Sequence, residues 1–306
     1  MADLTPIDPF RAMNIILNPD GTLTRHTQPP LIPTDTNPNS PQVVTFTDIP
    51  LNPTKNTYIR AYKPHNLPST PKLPLVIFFH GGGFILFNAS SLLYHESCIQ
   101  MAKDLPAIIL SVDYALALEN RLPSAYEDAL EAILWAKTQA FKGDYKFFEV
   151  VDFSKCFVMG TSAGANITYQ VGLQALNLEP FKINALIMIQ PFFGGVERIE
   201  SELRLVDAMV LPLCVSDLMW ELALPLGGED AHKKNGERIK TFPRCYVRGH
   251  GGNPLLDRQK KFVKMLEDDG VSVVKEFTKD GFHACELFDS DKANELVAGV
   301  KDFISS

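Results

Sequence analysis

The sequence lacks the features that mark membrane and secreted proteins. No stretch approaches the roughly 18 consecutive apolar residues of a membrane-spanning helix. The first thirty residues lack the basic start, apolar run and small-residue cleavage site of a secretory signal. We therefore expect a cytoplasmic protein without a membrane partner.

Paired cysteines and a surplus of basic residues are also missing. The five cysteines are widely spread and include no C-x-x-C pair, so neither a disulfide framework nor a zinc site is indicated. Lysine and arginine number 29 against 36 aspartate and glutamate, which gives a net charge of -7. Proteins that bind nucleic acid normally carry a basic surplus, so we expect no nucleic-acid partner. From the cysteine spacing we expect reduced thiols and no metal.

What is present is the composition of a folded globular chain, with 45% hydrophobic and 21% charged residues over 306 positions. Prolines are dense from Gln28 to Pro53. They forbid a long helix and favour an extended path along the surface. We interpret this segment as a leader outside the core.

After Tyr58, short apolar runs alternate with longer stretches of helical spacing, such as Tyr126–Phe141 and Arg258–Asp269. This alternation is typical of an α/β fold with a mainly parallel sheet and helices on both faces. The predicted buried strands are Leu75–Phe79, Ile108–Asp113, Cys156–Gly160, Ala185–Gln190, Cys245–Gly249 and Val271–Phe277.

The alternation breaks between Phe192 and about Lys240, where a glycine pair, a charged stretch and a long apolar run follow one another. We interpret this interval as an insertion packed above the sheet. The prediction is a single domain over residues 1–306, with a helical cap built from about 1–50 and 192–240.

The segment Gly160–Gly164 carries the G-x-S-x-G pattern of a nucleophile elbow. It follows the predicted strand Cys156–Gly160 and precedes a helix-compatible stretch, Ala165–Leu176. Small residues must flank the nucleophile, because its backbone is strained and the strand and helix cross closely there. The pattern predicts Ser162 as an exposed nucleophile.

Three successive glycines begin at Gly81, directly after the strand Leu75–Phe79 and His80. Without side chains, their backbone N–H groups can point into a site. We expect the N–H groups of Gly81, Gly82 and Ala163 to form an oxyanion hole.

Together, His80–Phe84 and Gly160–Gly164 resemble the hormone-sensitive-lipase branch of the α/β-hydrolases, and more narrowly the plant carboxylesterases. The resemblance extends from about Asn14 to Ile304. It implies the α/β-hydrolase fold and a serine esterase that acts on a small ester, such as an acylated specialised metabolite, without a cofactor. Other similar segments are Phe78–Phe87, Ser111–Tyr114, Arg121–Tyr126, Trp220–Pro225 and Pro254–Gln259.

In α/β-hydrolases the catalytic residues follow the chain order serine, acid, histidine. His283 follows the last predicted strand and matches the histidine of the family. The other six histidines precede Ser162 or lie where no base is expected. We therefore expect His283 to be the general base.

The acid position departs from the family. The family pattern Gly-Asp-Pro-Leu reads Gly252-Asn253-Pro254-Leu255 here, so a neutral amide replaces the carboxylate. In a serine protease, the same change in the triad costs about ten-thousand-fold in turnover, because the wrong imidazole tautomer is favoured. Asp257 and Asp280 are the alternative partners for His283.

Two further departures lie in regions expected to line or cover the pocket. The family segment Tyr-Arg-Leu-Ala-Pro-Glu reads as Tyr114–Glu119 without its arginine and proline, and the chain is shorter between Asp230 and Arg244.

A weakened triad is also compatible with a non-hydrolytic reaction, namely elimination, isomerisation, cyclisation or acyl transfer.

A third function, that of a small-molecule hormone receptor like the gibberellin receptors, is less favoured, because those receptors lose the histidine. The sequence does not predict an oligomeric state. Several apolar side chains indicate a small, largely apolar substrate: Phe84, Phe87, Phe192, Phe193, Met209, Leu213 and Met219.

Overall fold

The computed structural model describes residues 7–26, 30–34, 43–65, 72–176, 178, 181–226 and 241–306. Two short strands, β1 (Ile15–Leu17) and β2 (Leu23–Arg25), pair with each other. Eight further strands form one sheet. They are β3 (Val44–Asn52), β4 (Thr57–Pro64), β5 (Leu73–Phe79), β6 (Ile108–Asp113), β7 (Val151–Thr161), β8 (Ile183–Ile189), β9 (Arg244–Gly252) and β10 (Val273–Phe282).

The strands of this sheet follow the order β10-β9-β8-β7-β5-β6-β4-β3. Every neighbouring pair from β10 to β6 is parallel, and β4 and β3 complete the other edge in antiparallel pairing. The predicted mainly parallel sheet is therefore confirmed.

The helices of the described residues connect these strands and cover the sheet. Those that follow β5, β6, β7 and β9 are long, as expected for crossovers between parallel strands. Short 3₁₀ helices lie at Lys146–Val150 and Cys285–Leu287. The α-helices are α1 (Pro9–Ala12), α2 (Leu92–Asp104), α3 (Ser124–Lys142), α4 (Ala163–Gln174), α5 (Glu200–Arg204), α6 (Leu213–Ala223), α7 (Leu256–Asp268) and α8 (Ser290–Ser305).

Strand β5 shows why the sheet is buried on both faces. Successive side chains of a strand point to opposite faces, and Leu75, Ile77 and Phe79 join one hydrophobic core while Val76 and Phe78 join the other. The first core includes residues of α3, α4 and α7, and the second includes residues of α2 and α8. Helices therefore cover both faces, as predicted.

The predicted strands are recovered most accurately at the centre of the sheet. Strand β6 has the predicted bounds, whereas β7 begins earlier than Cys156 and β10 continues past Phe277. These extensions contain polar residues that are exposed or half-buried, such as Lys155 and Lys279. Polar residues interrupt an apolar run without ending the backbone ladder, so the sequence pattern ended too early.

The interpretation of Gln28–Pro53 as a leader outside the core is wrong for its second half. Residues Val44–Asn52 form the edge strand β3, and its Val44, Phe46 and Ile49 are buried. An edge strand tolerates proline, because one side of its backbone has no partner strand. Pro50 therefore fits within β3, while residues 27–29 and 35–42 lie outside the described part.

The interval after β8 contains α5 and α6, and its residues 227–240 lie outside the described part, as does most of the shortened connection after Asp230. Helix α6 packs beside the N-terminal segment, where the Cys214 thiol is 3.6 Å from the Ile7 carbonyl oxygen. In the described part of the chain, no helix has both the length and the apolar composition that a membrane span requires.

Candidate active site

Ser162 lies at the sharp turn between β7 and α4. Its backbone has φ 54° and ψ -117°, a region that side-chain-bearing residues occupy at an energetic cost and mainly at functional sites. The turn is held by hydrogen bonds, since the Ser162 N–H donates to Ile189 O at 2.8 Å and the Phe192 N–H donates to Ser162 O at 3.0 Å. This is the geometry of a nucleophile elbow, but the prediction that Ser162 is exposed is wrong, because the residue is buried and lines a cavity.

The glycines that flank Ser162 permit the close crossing of strand and helix. A Cβ atom on Gly164 would lie 2.0 Å from the Phe79 carbonyl oxygen, and one on Gly160 would lie 2.1 Å from the Gly164 carbonyl oxygen. Neither position has room for a side chain. The motif is therefore required by the local packing of β5, β7 and α4.

The glycine loop lies directly beside the elbow. A Cβ atom on Gly81 would be 3.1 Å from Ser162 Cβ. Gly82 has φ +110°, and its carbonyl oxygen accepts hydrogen bonds from the N–H groups of Ile85 and Leu86 at 3.0 and 2.9 Å. The loop is thus folded into a tight turn at the site, while the oxyanion role of Gly81, Gly82 and Ala163 stays a prediction.

Three aromatic side chains, His80, Tyr114 and Tyr94, pack beside this loop. The His80 ring stacks on Tyr114 with 4.3 Å between centroids, and its Nδ1 lies 2.7 Å from Gly81 O. Burial raises the pKa of Tyr94, and a hydrogen bond with the Gly81 backbone opposes that effect. Burial lowers the pKa of His80 to about 4, so its ring is neutral and acts as packing.

His283 meets Ser162 as the sequence predicts. It follows β10, and its Nε2 is 2.9 Å from Ser162 Oγ. The ring is buried, and this burial lowers the pKa of His283 to about 4, an effect that Glu286 opposes and His250 reinforces. A neutral imidazole at this distance can accept the hydroxyl proton.

Asn253 is the partner of His283 on the other ring nitrogen. Its Oδ1 is 3.2 Å from His283 Nδ1 and also accepts the Leu255 N–H at 3.0 Å. Its Nδ2 donates to Gln190 Oε1 at 2.8 Å. Because the carbonyl oxygen faces the ring, Nδ1 must carry the proton and Nε2 must be the acceptor.

The amide therefore selects the tautomer that a carboxylate would select. The loss of turnover expected from the wrong imidazole tautomer does not apply here. Hydrogen bonds with Leu255 and Gln190 hold the Asn253 side chain with its oxygen towards His283. What Asn253 cannot supply is the negative charge that stabilises an imidazolium.

The two alternative acids do not contact His283. Asp257 accepts the Ser201 N–H at 3.0 Å and pairs with Lys260 at 3.2 Å. Asp280 is exposed and pairs with Lys292 at 2.9 Å. Both carboxylates are thus engaged elsewhere.

Sequence reasoning missed two side chains that lie behind Asn253. Gln190 follows β8 and Glu286 lies three residues after His283; their side chains are joined by a 2.6 Å hydrogen bond from Gln190 Nε2 to Glu286 Oε2. The only available signal was position, since residues after neighbouring parallel strands meet at one edge of the sheet. Neither belongs to a motif.

A small cavity of about 160 Å³ opens onto Ser162 and His283. A larger cavity of about 680 Å³ lies next to it and includes Arg25, Asp113 and Met209 in its lining. The walls common to both are formed by Leu86, Phe87, Val210 and Met219.

The apolar candidates divide between these cavities and the core. Phe87 and Met219 line both cavities, Phe192 lines the small one, and Met209 lines the larger one. Leu213 lines neither of these two cavities, and Phe84 and Phe193 are buried in the core. The site thus presents a mainly apolar pocket to a ligand.

The segment Tyr114–Glu119, which departs from the family pattern, also borders the larger cavity through Tyr114, Ala115 and Leu116. Arg25 from β2 donates to the Ala117 carbonyl oxygen and pairs with Glu119 at 2.8 Å. This side chain ties the N-terminal strands to the loop.

Among the described residues, one group of three side chains has metal-ligand spacing, namely His250, Cys285 and Glu286, with ligand atoms within 4.8 Å of one another. Arg248 Nε lies 3.5 Å from Glu286 Oε1. The arginine charge competes with a cation there, so we assign the group no metal.

Both the sequence and the fold of this chain match known proteins. Residues 76–287 match the family model described as the alpha/beta hydrolase fold. The chain belongs to the α/β-hydrolase family.

Its relatives include plant carboxylesterases. The chain is 49% identical to "Probable carboxylesterase 8" of Arabidopsis thaliana, with 98% of this chain and 94% of that protein covered. It is 42% identical to a 3-O-acetylpapaveroxine carboxylesterase of Papaver somniferum, with 97% of each covered. An esterase structure from Pyrobaculum calidifontis has a TM-score of 0.71 at 23% identity, with 85% of this chain and 84% of that chain covered. The sequence relatives support a carboxylic ester hydrolase.

Proposed function

We propose that this protein hydrolyses a small ester through Ser162 and His283. The observation that carries the proposal is the 2.9 Å contact between Ser162 Oγ and His283 Nε2, made at a strained elbow beside a glycine loop. A serine hydroxyl becomes nucleophilic when an adjacent base takes its proton.

In the proposed mechanism, Ser162 Oγ attacks the ester carbonyl while its proton moves to His283 Nε2. The N–H groups of Gly81, Gly82 and Ala163 bind the oxyanion. Collapse expels the alcohol, which takes the proton from His283, and leaves an acyl-enzyme. Water then attacks the acyl group with His283 again as base, and the carboxylic acid departs.

Asn253 holds His283 in the productive tautomer during both steps. Since it is neutral, it contributes no charge to the imidazolium that forms. We expect a slower hydrolase than one with aspartate at this position, with the same sequence of steps.

The cavities indicate how a substrate would be divided. The small cavity next to Ser162 holds about 160 Å³, which suits a short acyl group. The larger cavity of about 680 Å³ suits a bulkier alcohol. The name of the poppy relative, an acetyl-ester carboxylesterase, supports an acetyl ester of a larger metabolite as the substrate class.

The test is hydrolysis of p-nitrophenyl acetate in heavy-oxygen water. We expect wild-type protein to release acetate that contains the heavy oxygen, and Ser162→Ala to lose this activity while keeping the same thermal unfolding temperature. A folded Ser162→Ala variant with unchanged rate would refute the assignment.

The neutral Asn253 also favours a second candidate, a non-hydrolytic reaction such as elimination, in which His283 acts as a simple base. Elimination would release a carboxylate with both of its original oxygens, because water does not attack the carbonyl. The same labelled-water experiment on the native ester therefore separates the two functions.

A further inference from the structure

The polar contacts behind His283 continue past Asn253 to a buried charge. Asn253 Nδ2 donates to Gln190 Oε1 at 2.8 Å, and Gln190 Nε2 donates to Glu286 Oε2 at 2.6 Å. The other oxygen of Glu286 lies 2.8 Å from His250 Nε2. Gln190 and Asn253 are fully buried, and the Glu286 side chain is 6% exposed.

We propose that Gln190 and Glu286 are positioning residues for the esterase site: Glu286 carries the negative charge that position 253 lacks, and Gln190 connects it to Asn253. We call the chain of hydrogen bonds from Asn253 through Gln190 to Glu286 the relay. It rests on the proposed role of His283 as the base. It extends that role to two residues that do not touch the substrate.

The direction of the hydrogen bonds requires an amide at position 253. A carboxylate only accepts hydrogen bonds, so Glu286 receives the NH₂ group of Gln190. Gln190 must then turn its Oε1 towards position 253, where the Ala284 N–H also donates to it at 3.3 Å. Only a donor fits opposite this oxygen, and Asn253 supplies one.

The charge of Glu286 acts on His283 in the expected sense. Glu286 raises the pKa of His283, whereas burial and His250 lower it. Arg248, 3.5 Å from Glu286, also pairs with Glu276 at 2.8 Å and Glu295 at 3.1 Å. Glu286 therefore shares the arginine with two other acids and retains an effect on the imidazole.

The relay changes what a restored triad acid would do. Asn253→Asp places a carboxylate against Gln190 Oε1, so two acceptors face each other. If the Gln190 amide turns over, its Nε2 donates to the new carboxylate at position 253, but its Oε1 then faces the Glu286 carboxylate, which is also an acceptor. Glu286→Gln removes this second pair of opposed acceptors, because a glutamine at position 286 can donate to Gln190 Oε1.

The experiment is a double-mutant cycle of Asn253→Asp and Glu286→Gln, measured as kcat/KM for p-nitrophenyl acetate. Residues that are coupled in one hydrogen-bond network deviate from additivity when both are changed. We expect Glu286→Gln alone to lower kcat/KM. We expect Asn253→Asp to give a gain about tenfold larger in the Glu286→Gln background than in wild type.

The matched control is Glu295→Gln, which also removes a partner of Arg248 but does not contact Gln190. It should leave the effect of Asn253→Asp unchanged. Equal effects of Asn253→Asp with and without Glu286 would overturn the relay. If Glu286→Gln does not fold, Gln190→Met provides a second background that removes the opposing acceptor, and the same larger gain is expected.

A readout without activity separates this inference from the proposed function. The protonation of the His283 ring can be titrated by NMR, and the relay predicts a lower pKa in Glu286→Gln and no change in Glu295→Gln. A lower pKa in a protein that hydrolyses no ester would refute the esterase and retain the relay. Ester hydrolysis, together with an unchanged pKa of His283 in Glu286→Gln and additive effects on kcat/KM, would refute the relay and retain the esterase.

Discussion

At the scale of single residues, the proposed mechanism depends most on the basicity of His283. Its ring is buried, which destabilises the charged imidazolium, and burial lowers its pKa to about 4 from 6.5. A catalytic base must be unprotonated to accept the proton of Ser162. In the proposed mechanism His283 is this base, and its low pKa keeps the ring unprotonated over nearly the whole physiological range.

The pH dependence of kcat/KM should therefore have its acid limb near pH 4. Activity should fall as the pH decreases through the pKa of His283, because the protonated ring accepts no proton, and should be level between about pH 5 and 8. The measurement is a pH–rate profile on p-nitrophenyl acetate, with circular dichroism at each pH as the folding control. An acid limb near the ordinary histidine value of 6.5 would contradict this account of the site.

The sequence predicts the identity of these residues better than their interactions. Ser162 and His283 could be located because a motif and the chain order of the fold specify them. The orientation of Asn253 could not, because it depends on Gln190, which is 63 positions away in the chain. Glu286 carries a charge that only the folded structure brings near the site.

At the scale of elements, the site is assembled by strand ends. Strands β7, β8, β9 and β10 are neighbours and parallel, so the segments that follow them meet at one edge and bring Ser162, Gln190, Asn253 and His283 together. The alternation of strands and helices in the sequence predicts the parallel sheet and places Ser162 at a strand end, but it did not predict that Gln190 lies beside Asn253. The edge strand β3 and its neighbour β4 escaped prediction because prolines and charged residues obscure their apolar pattern.

Helix α6 places one side chain between the two cavities. Met219 lines both of them, whereas Met209, in the preceding loop, lines only the larger one and is 83% exposed. Met219→Ala should merge the cavities and leave the catalytic residues in place. The variant should therefore accept longer acyl chains.

The measurement is kcat/KM for p-nitrophenyl acetate, butyrate and octanoate. We expect Met219→Ala to raise the octanoate-to-acetate ratio by about tenfold or more, since each buried CH₂ contributes about 0.8 kcal/mol. Met209→Ala is the matched control and should leave the ratio unchanged. An unchanged ratio in Met219→Ala would mean that Met219 does not limit the length of the acyl group.

At the scale of the whole molecule, distant parts of the chain position the residues of the candidate site. Crossing helices and strands fix the elbow of Ser162, the N-terminal strands close one side of the large cavity through Arg25, and the last helix follows directly from the histidine segment. The fold class could be predicted from the alternation of elements and the motifs along the chain. The cavity shape could not, because it depends on how α1, α6 and the glycine loop pack against one another.

The central claim is that Ser162 is an activated nucleophile. A fluorophosphonate forms a covalent bond with such a serine and releases fluoride, and intact-protein mass spectrometry followed by peptide mapping detects the adduct. The account predicts one adduct per chain, located on Ser162, and none in Ser162→Ala. A folded wild-type protein that takes no adduct, or an adduct that persists in Ser162→Ala, would contradict it.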